Sequence, residues 1–304
     1  MKLATFKENG QARFAVALST ERLLDVSRAE RVADGLGLTL PGQPAESVLA
    51  YLEGGDNTKS WLTALVAAVK EQPQAFQSAV IPLSTAHFLA PVTRPSKIVC
   101  VGHNYREHIL EMKREIPEYP VLFAKFPHTL RGHGESIPLP PVTEKLDYEA
   151  EFAFVIGRQA KDVRPEDALD YVGGYTIAND VSARDLQRRT IQWMQGKNLD
   201  GSLPLGPYLV TPDEVGDPHE LGVTLTVNGE TRQKANTRTL VFNVNFLVSY
   251  ISQILTLEAG DIILTGTPGG VGDAMNPPQY LKDGDVVEIT IDKLGTLRNQ
   301  VQSA

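Results

Sequence analysis

One cysteine in 304 residues leaves no intrachain disulfide, and with no cluster of Cys or His at ligand spacing the ordinary zinc patterns are absent as well. Long apolar runs are missing too. Nowhere do eighteen apolar residues follow one another, and the opening residues spread charge through the segment instead of building a signal-peptide core, so the chain reads as cytoplasmic. Positive charge is in deficit, 29 Lys and Arg against 37 Asp and Glu, for a formal net charge of -8. Nucleic acid and anionic membranes both require a concentrated positive field, so neither is expected as a partner and a small molecule is. A Gly-x-Ser-x-Gly elbow, a His-Glu-x-x-His helix and the phosphate-binding glycine patterns are all lacking, which sets aside the simple esterase, metalloprotease and nucleotide-binding readings.

What is present is ordinary globular composition, 42% hydrophobic and 22% charged, enough for one large domain or two smaller ones. Over 1–95, strand-like runs at 3–6 and 13–18 flank a turn at Asn9-Gly10, and apolar residues recur at helical spacing over 45–53 and 59–70. No Asp, Glu, His or Cys cluster falls there, so this stretch reads as a small α/β cap or dimer-supporting domain. Pro91 and Pro95 mark a linker and place the boundary near 95. From 96 to 304 the pattern changes to short β runs, at 98–101, 149–156, 174–178, 223–227, 262–265 and 286–291, with helical spacing in a few places, chiefly over 105–113 and 240–254. A mainly β domain, barrel or rolled sheet, within an α+β chain is the expectation. Cys100, in the first of these runs, reads as a small buried strand residue.

Side chains alternate along a strand, so Glu149 and Glu151 project from one face and Tyr148, Ala150, Phe152 and Phe154 from the other. Alone, such a pair can face solvent. If Asp180, at the end of the run 175–180, meets it, three carboxylates call for a cation, and oxygen-only ligation suits Mg²⁺, Mn²⁺ or Ca²⁺. His108 and Glu111 stand three apart on a helix that Asn104 can cap; they are either an incidental exposed pair or a general base. His103, His128 and His133 read as loop or structural residues. The turn Thr265-Gly266-Thr267-Pro268-Gly269-Gly270 can hold a carboxylate on its backbone N–H groups and the Thr267 hydroxyl, or be a plain tight turn, and 182–187 is a second anion-binding candidate.

Taken in order, Asn104-Tyr105 to Glu111, Glu149-x-Glu151, Asn179-Asp180-Val181-Ser182-Ala183-Arg184-Asp185, Gly196-Lys197 and Thr265-Gly266-Thr267-Pro268 resemble the fumarylacetoacetate hydrolase family over about 97–295. Within it, the likeness is to the acylpyruvase and 2-hydroxyhepta-2,4-diene-1,7-dioate isomerase branch of aromatic-compound catabolism. The resemblance implies a β roll around Mg²⁺ or Mn²⁺, usually in homodimers, with Glu149, Glu151 and Asp180 as metal ligands and His108 with Glu111 as a lid dyad. It further implies that Lys197 steadies an oxyanion or enolate, that Arg184 and Gln187 reach substrate oxygens, and that Thr267 beside Gly266 receives the substrate carboxylate. Tyr105 and Lys125 fall near the site by the same likeness. Two departures stand out: many members run Lys-Pro-x-Thr-Ala where this chain has Lys125-Phe126-Pro127-His128-Thr129, and the larger members' extra carboxylate is replaced by Gly102, His103 and Asn104.

The implied activity is metal-dependent hydrolysis of a C–C bond in a 2,4-dioxo acid, an acylpyruvate or a fumarylacetoacetate-like substrate, through a metal-stabilised enolate. Decarboxylation of an oxaloacetate-type 2-oxo acid, or isomerisation of a 2-hydroxymuconate type, would use the same site. The His-x-x-Glu pair tilts the expectation to hydrolysis, because activating water needs a dedicated base. A non-catalytic ligand-binding β roll is the rival from another class, and the triad and dyad together argue against it.

Overall fold

The computed structural model describes residues 1–111 and 115–303, and of His108 the backbone alone. Short strands dominate, since β-branched and aromatic runs alternate with Gly, Pro and Asp breaks. The first third contains β1 (Lys2–Glu8), β2 (Gln11–Ala17), β3 (Arg22–Asp25), α1 (Val26–Gly35), α2 (Val48–Glu53), α3 (Gly55–Glu71), β4 (Val80–Pro82) and β5 (His87–Leu89). Next come β6 (Ile98–Gly102), α4 (Arg106–Glu111), β7 (Val121–Lys125), β8 (Leu130–Arg131), β9 (Ile137–Leu139), β10 (Leu146–Asp147), β11 (Ala150–Ile156), β12 (Val172–Asn179), β13 (Ser182–Ala183), α5 (Arg184–Gln187) and α6 (Met194–Lys197). The remainder is β14 (Leu203–Val210), α7 (Pro212–Val215), β15 (Gly222–Val227), β16 (Glu230–Asn236), α8 (Val244–Ile254), β17 (Ile262–Leu264), β18 (Val286–Ile291) and β19 (Gly295–Ser303).

The chain is α+β and mostly sheet, as expected. A twelve-stranded sheet follows the path β4-β3-β2-β1-β14-β12-β11-β17-β6-β7, with β5 added on β1 and β8 on β14, a five-stranded sheet follows β16-β15-β18-β19-β9, and β10 pairs with β13 alone. β1 lies antiparallel to β14, with Leu3 opposite Leu209, so the N-terminal strands continue the large sheet. Leu3, Phe14, Trp61 and Leu62 accordingly share an apolar cluster with Ala153, Val155 and Leu205. No helix among the described residues is long and apolar enough to cross a membrane.

β11 sets the site. It is buried along its whole length, between β12 and β17. Ala150, Phe152 and Phe154 enter the core under the five-stranded sheet, where Phe152 stacks on Tyr175 at 5.5 Å. Ala153 and Val155 face the other cluster. Glu151 shares that second face at the strand's start, where the apolar cover ends, and it is 2% exposed.

Three local differences from the sequence reading have physical causes. Helix α1 was not expected; Asp25 caps it by accepting from the Arg28 backbone N–H at 3.0 Å. The helix expected over 240–254 begins at Val244, because Asn243 caps there by accepting from Phe246 N–H. The side chain of Asn104, expected as a helix cap, is used elsewhere: Nδ2 donates to the carbonyls of Phe242 and Thr265, and Oδ1 accepts from Phe242 N–H at 2.7 Å. It thereby ties the end of β6 to the end of β17 and to the entry of α8.

Replacing Asn104 with Ala leaves those three buried backbone groups unpaired, so unfolding free energy should fall by about 2–4 kcal/mol in urea denaturation. A loss below about 0.5 kcal/mol, the scale of a neutral surface change, would contradict the cross-tie.

Candidate active site

The acidic residues converge where β11 and β12 meet. Asn179 accepts from the Glu149 backbone N–H through Oδ1 at 3.0 Å, and Asp180 N–H donates to the Glu149 carbonyl at 2.9 Å. This clamp brings one carboxylate oxygen each of Glu149, Glu151 and Asp180 within 4.8 Å of one another. All three are buried. With only carboxylate oxygens in the set, these residues could hold a hard divalent cation. Burial, then the charges of Asp180 and Glu149, push the Glu151 carboxyl well above the usual carboxylate range. Its Oε2 accepts from Gly266 N–H at 2.7 Å.

Three cations surround the group. Lys197 Nζ lies 2.7 Å from Glu149 Oε2 and 2.6 Å from Asp180 Oδ2. Burial opposes its charge, but Asp180 and Glu149 outweigh that and keep its pKa above the ordinary lysine value. Lys125 Nζ is 2.9 Å from Asp180 Oδ1 and bonds to the Lys197 carbonyl and, at 3.1 Å, to Ser202 Oγ. Arg184 reaches Glu149 Oε1 through Nη2 at 2.7 Å and Asp147 Oδ2 through Nε at 2.8 Å, while Nη1 donates to Gln187 Oε1 at 3.1 Å.

The glycine-rich turn does something other than expected. Its amides serve the protein's own carboxylates: Gly266 N–H goes to Glu151, Gly270 N–H to Glu111 at 3.2 Å, and Gly272 and Asp273 N–H to Asp147 at 2.8 and 3.1 Å. Gly266 is at φ +96°, and a Cβ there would stand 2.8 Å from the Val101 carbonyl, so the close approach to Glu151 requires glycine. Thr267 Oγ1 accepts from Gln233 Nε2 at 2.9 Å, which leaves its hydroxyl hydrogen uncommitted to Gln233. Gln233 is itself fully buried and accepts from Ala150 N–H, joining β11 to the turn.

A cleft opens over these groups, lined by Glu149, Glu151, Arg184, Gln187, Lys197 and Thr267 together with an aromatic wall of His103, Phe123 and Trp193. Trp193 meets His103 and Phe123 edge-on at 5.5 and 5.3 Å, and Lys197 Nζ sits 5.1 Å over the Phe123 ring. Of the expected residues, Tyr105, Lys125, Asp180 and Gly266 lie behind this surface. Lys125 and Gly266 act through Asp180 and Glu151, and the Tyr105 hydroxyl is buried with no hydrogen-bond partner among the described residues. Glu111, on α4, rests against Gly269 and Gly270. The side chain of His108 lies outside the described residues.

Sequence reasoning gave no role at the site to Asp147, Asn179, Gln233, His103 or Trp193. Asp147 carried a usable signal, because it shares the odd-numbered parity of Glu149 and Glu151. His103 carried none, although its left-handed backbone, φ 54°, turns the chain from β6 toward α4 and brings its ring into the cleft wall.

With this geometry in hand, the chain compares clearly with known proteins. Residues 97–302 match the fumarylacetoacetate (FAA) hydrolase C-terminal family, and the protein belongs to that family. Oxaloacetate tautomerase YisK of Bacillus subtilis is 41% identical over 305 residues, covering 99% of this chain and all of that one. Among solved structures, fumarylacetoacetate hydrolase from Exiguobacterium antarcticum covers both chains fully at 37% identity with a TM-score of 0.82. Maleylpyruvate hydrolase from Sphingobium sp. SYK-6, in complex with manganese(II) and pyruvate, does so at 29% identity with a TM-score of 0.75.

Asp147 and Arg184 should prove energetically coupled. Asp147→Ala removes one of the guanidinium's two carboxylate partners and strands two turn amides, so stability should drop by about 3 kcal/mol. A double-mutant cycle with Arg184→Ala should show at least about 1 kcal/mol of coupling in denaturant unfolding, whereas additive losses would mean that the pair does not act as a unit.

Proposed function

We propose that the protein is an enzyme that interconverts the enol and keto forms of a short 2-oxo acid of the oxaloacetate kind, using a divalent cation held by Glu149, Glu151 and Asp180. One observation carries the reading: a buried triad of cation-binding oxygens and the Lys197 ammonium meet at one cleft, where the head of a 2-oxo acid can engage both. The extent of the likeness to the Bacillus subtilis oxaloacetate tautomerase supports it, and the manganese and pyruvate of the maleylpyruvate hydrolase structure support the class of ion and ligand. The donor set fits Mg²⁺ or Mn²⁺, which when bound supplies positive charge that steadies an enolate.

The chain's own residues do the rest. Lys197, kept protonated by Glu149 and Asp180, places a positive charge and a transferable proton at the substrate's C2 oxygen. Arg184, fixed by Asp147, and Gln187 receive the adjacent carboxylate, and the Thr267 hydroxyl donates to it. His108 with Glu111 moves the C3 proton. Lys125 positions Asp180, and Gly266 positions Glu151.

Tautomerisation here takes precedence over the C–C hydrolysis expected from the sequence. Both need a 2-oxo acid enolate stabilised, of the intact substrate in one case and of the cleaved pyruvate-type fragment in the other, but tautomerisation needs proton transfer alone and no activated water, and the Bacillus subtilis and Bos taurus relatives carry tautomerase names. Cleavage remains the second reading, favoured by the likeness to the Exiguobacterium enzyme.

The test is the decay of enol-oxaloacetate absorbance with Mg²⁺. Excess EDTA should return the rate to background, and Lys197→Met should lower kcat by about a hundredfold or more. Asp180→Asn should weaken Mg²⁺ binding measured by calorimetry. Unchanged turnover in EDTA or in the lysine variant would overturn the assignment.

A further inference from the structure

We propose that Arg188 is the specificity-determining contact for a second carboxylate, so that the cleft selects dicarboxylic over monocarboxylic 2-oxo acids; the proposal rests on the 2-oxo acid reading above. Among the described residues, three cationic side chains line the cleft: Arg184, Lys197 and Arg188. The first two are buried and committed to Asp147, Glu149 and Asp180. Arg188 differs. Its side chain is 57% exposed, so it meets whatever part of a ligand extends away from the buried triad.

Arg188 is also held in place rather than loose. Its two Nη atoms bond to the two oxygens of Asp273, Nη1 to Oδ1 at 3.2 Å. Asp273 is itself nearly buried, accepts from the Tyr280 hydroxyl at 2.9 Å, and donates its backbone N–H to Asp147 Oδ2 at 3.1 Å. That same Asp147 oxygen accepts from Arg184 Nε. The two arginines are therefore set at a fixed offset by the linked pair Asp273 and Asp147, as two anchors for the two ends of a diacid would be.

Pairing with Asp273 does not exhaust Arg188. A guanidinium has five N–H donors and Asp273 engages two nitrogens, leaving Nε and the outer Nη hydrogens for another carboxylate. Arg184 already bridges two carboxylates in this way, with Nε on Asp147 and Nη2 on Glu149.

The test compares malate with lactate, which share a 2-hydroxy acid head and differ by the distal carboxylate. Their affinities for the Mg²⁺-loaded protein are measured by calorimetry, in wild type and in Arg188→Gln. The variant should bind malate roughly tenfold to a hundredfold more weakly, the worth of a charge-assisted hydrogen bond, with lactate unchanged. Equal loss for both ligands, no loss for malate, or a wild type that binds malate no tighter than lactate would overturn the assignment. Because binding is read without turnover, a wild type that prefers malate through Arg188 yet leaves enol-oxaloacetate untouched would refute the tautomerase reading alone.

Discussion

Crowding of like charge in a buried place governs this structure. Asp147, Glu149, Glu151 and Asp180 sit together, all nearly inaccessible, against the three cations Arg184, Lys197 and Lys125. Carboxylate oxygens of Glu149, Glu151 and Asp180 lie within 4.8 Å of one another, a separation at which each charged pair repels by about 3 kcal/mol at an effective dielectric near 20. One negative charge is left over when every group is ionised. Burial and the charges of Asp180 and Glu149 push the Glu151 carboxyl well above the usual carboxylate range, and a divalent cation would relieve the same stress.

The rest of the fold is arranged to hold these charges still. β11 emerges from between two apolar clusters, so the carboxylates at its start inherit the rigidity of a fully packed strand. Amides of the glycine-rich turn donate to three carboxylates, and Gln233 and Asn104 fasten the turn and its neighbours to β11 and β6 by bonds that are themselves buried. Lys197 is drawn onto Glu149 and Asp180 rather than into solvent, which keeps one proton-bearing group at the cleft.

How far the sequence revealed this depends on the range of the interaction. Strand alternation was enough to place Glu149 and Glu151 on one face, and the run ending at Asp180 pointed toward them. Helix α2 and the hairpin of β1 and β2 were legible from spacing and from Asn9-Gly10, both of which adopt positive φ. Pairing of β1 with β14 was not, because no periodicity reports a partner some two hundred residues away. The same limit hid Asn104, whose side chain looked like a local cap and instead bonds to Phe242 and Thr265. It also hid the amides of the turn, which read as open to a ligand and are occupied by Glu151, Glu111 and Asp147. Chemistry was legible to the level of a buried carboxylate triad beside Lys197; the choice between hydrolysis and the proposed tautomerisation was not, because the motif residues can serve either.

The most direct measurement is proton NMR of oxaloacetate in D₂O with the Mg²⁺-loaded protein. Deuterium should enter C3 faster than in the protein-free solution while the four-carbon skeleton stays intact. Pyruvate appearing as fast as deuterium enters, or no acceleration of exchange at all, would contradict a site built to move a proton and break no carbon bond.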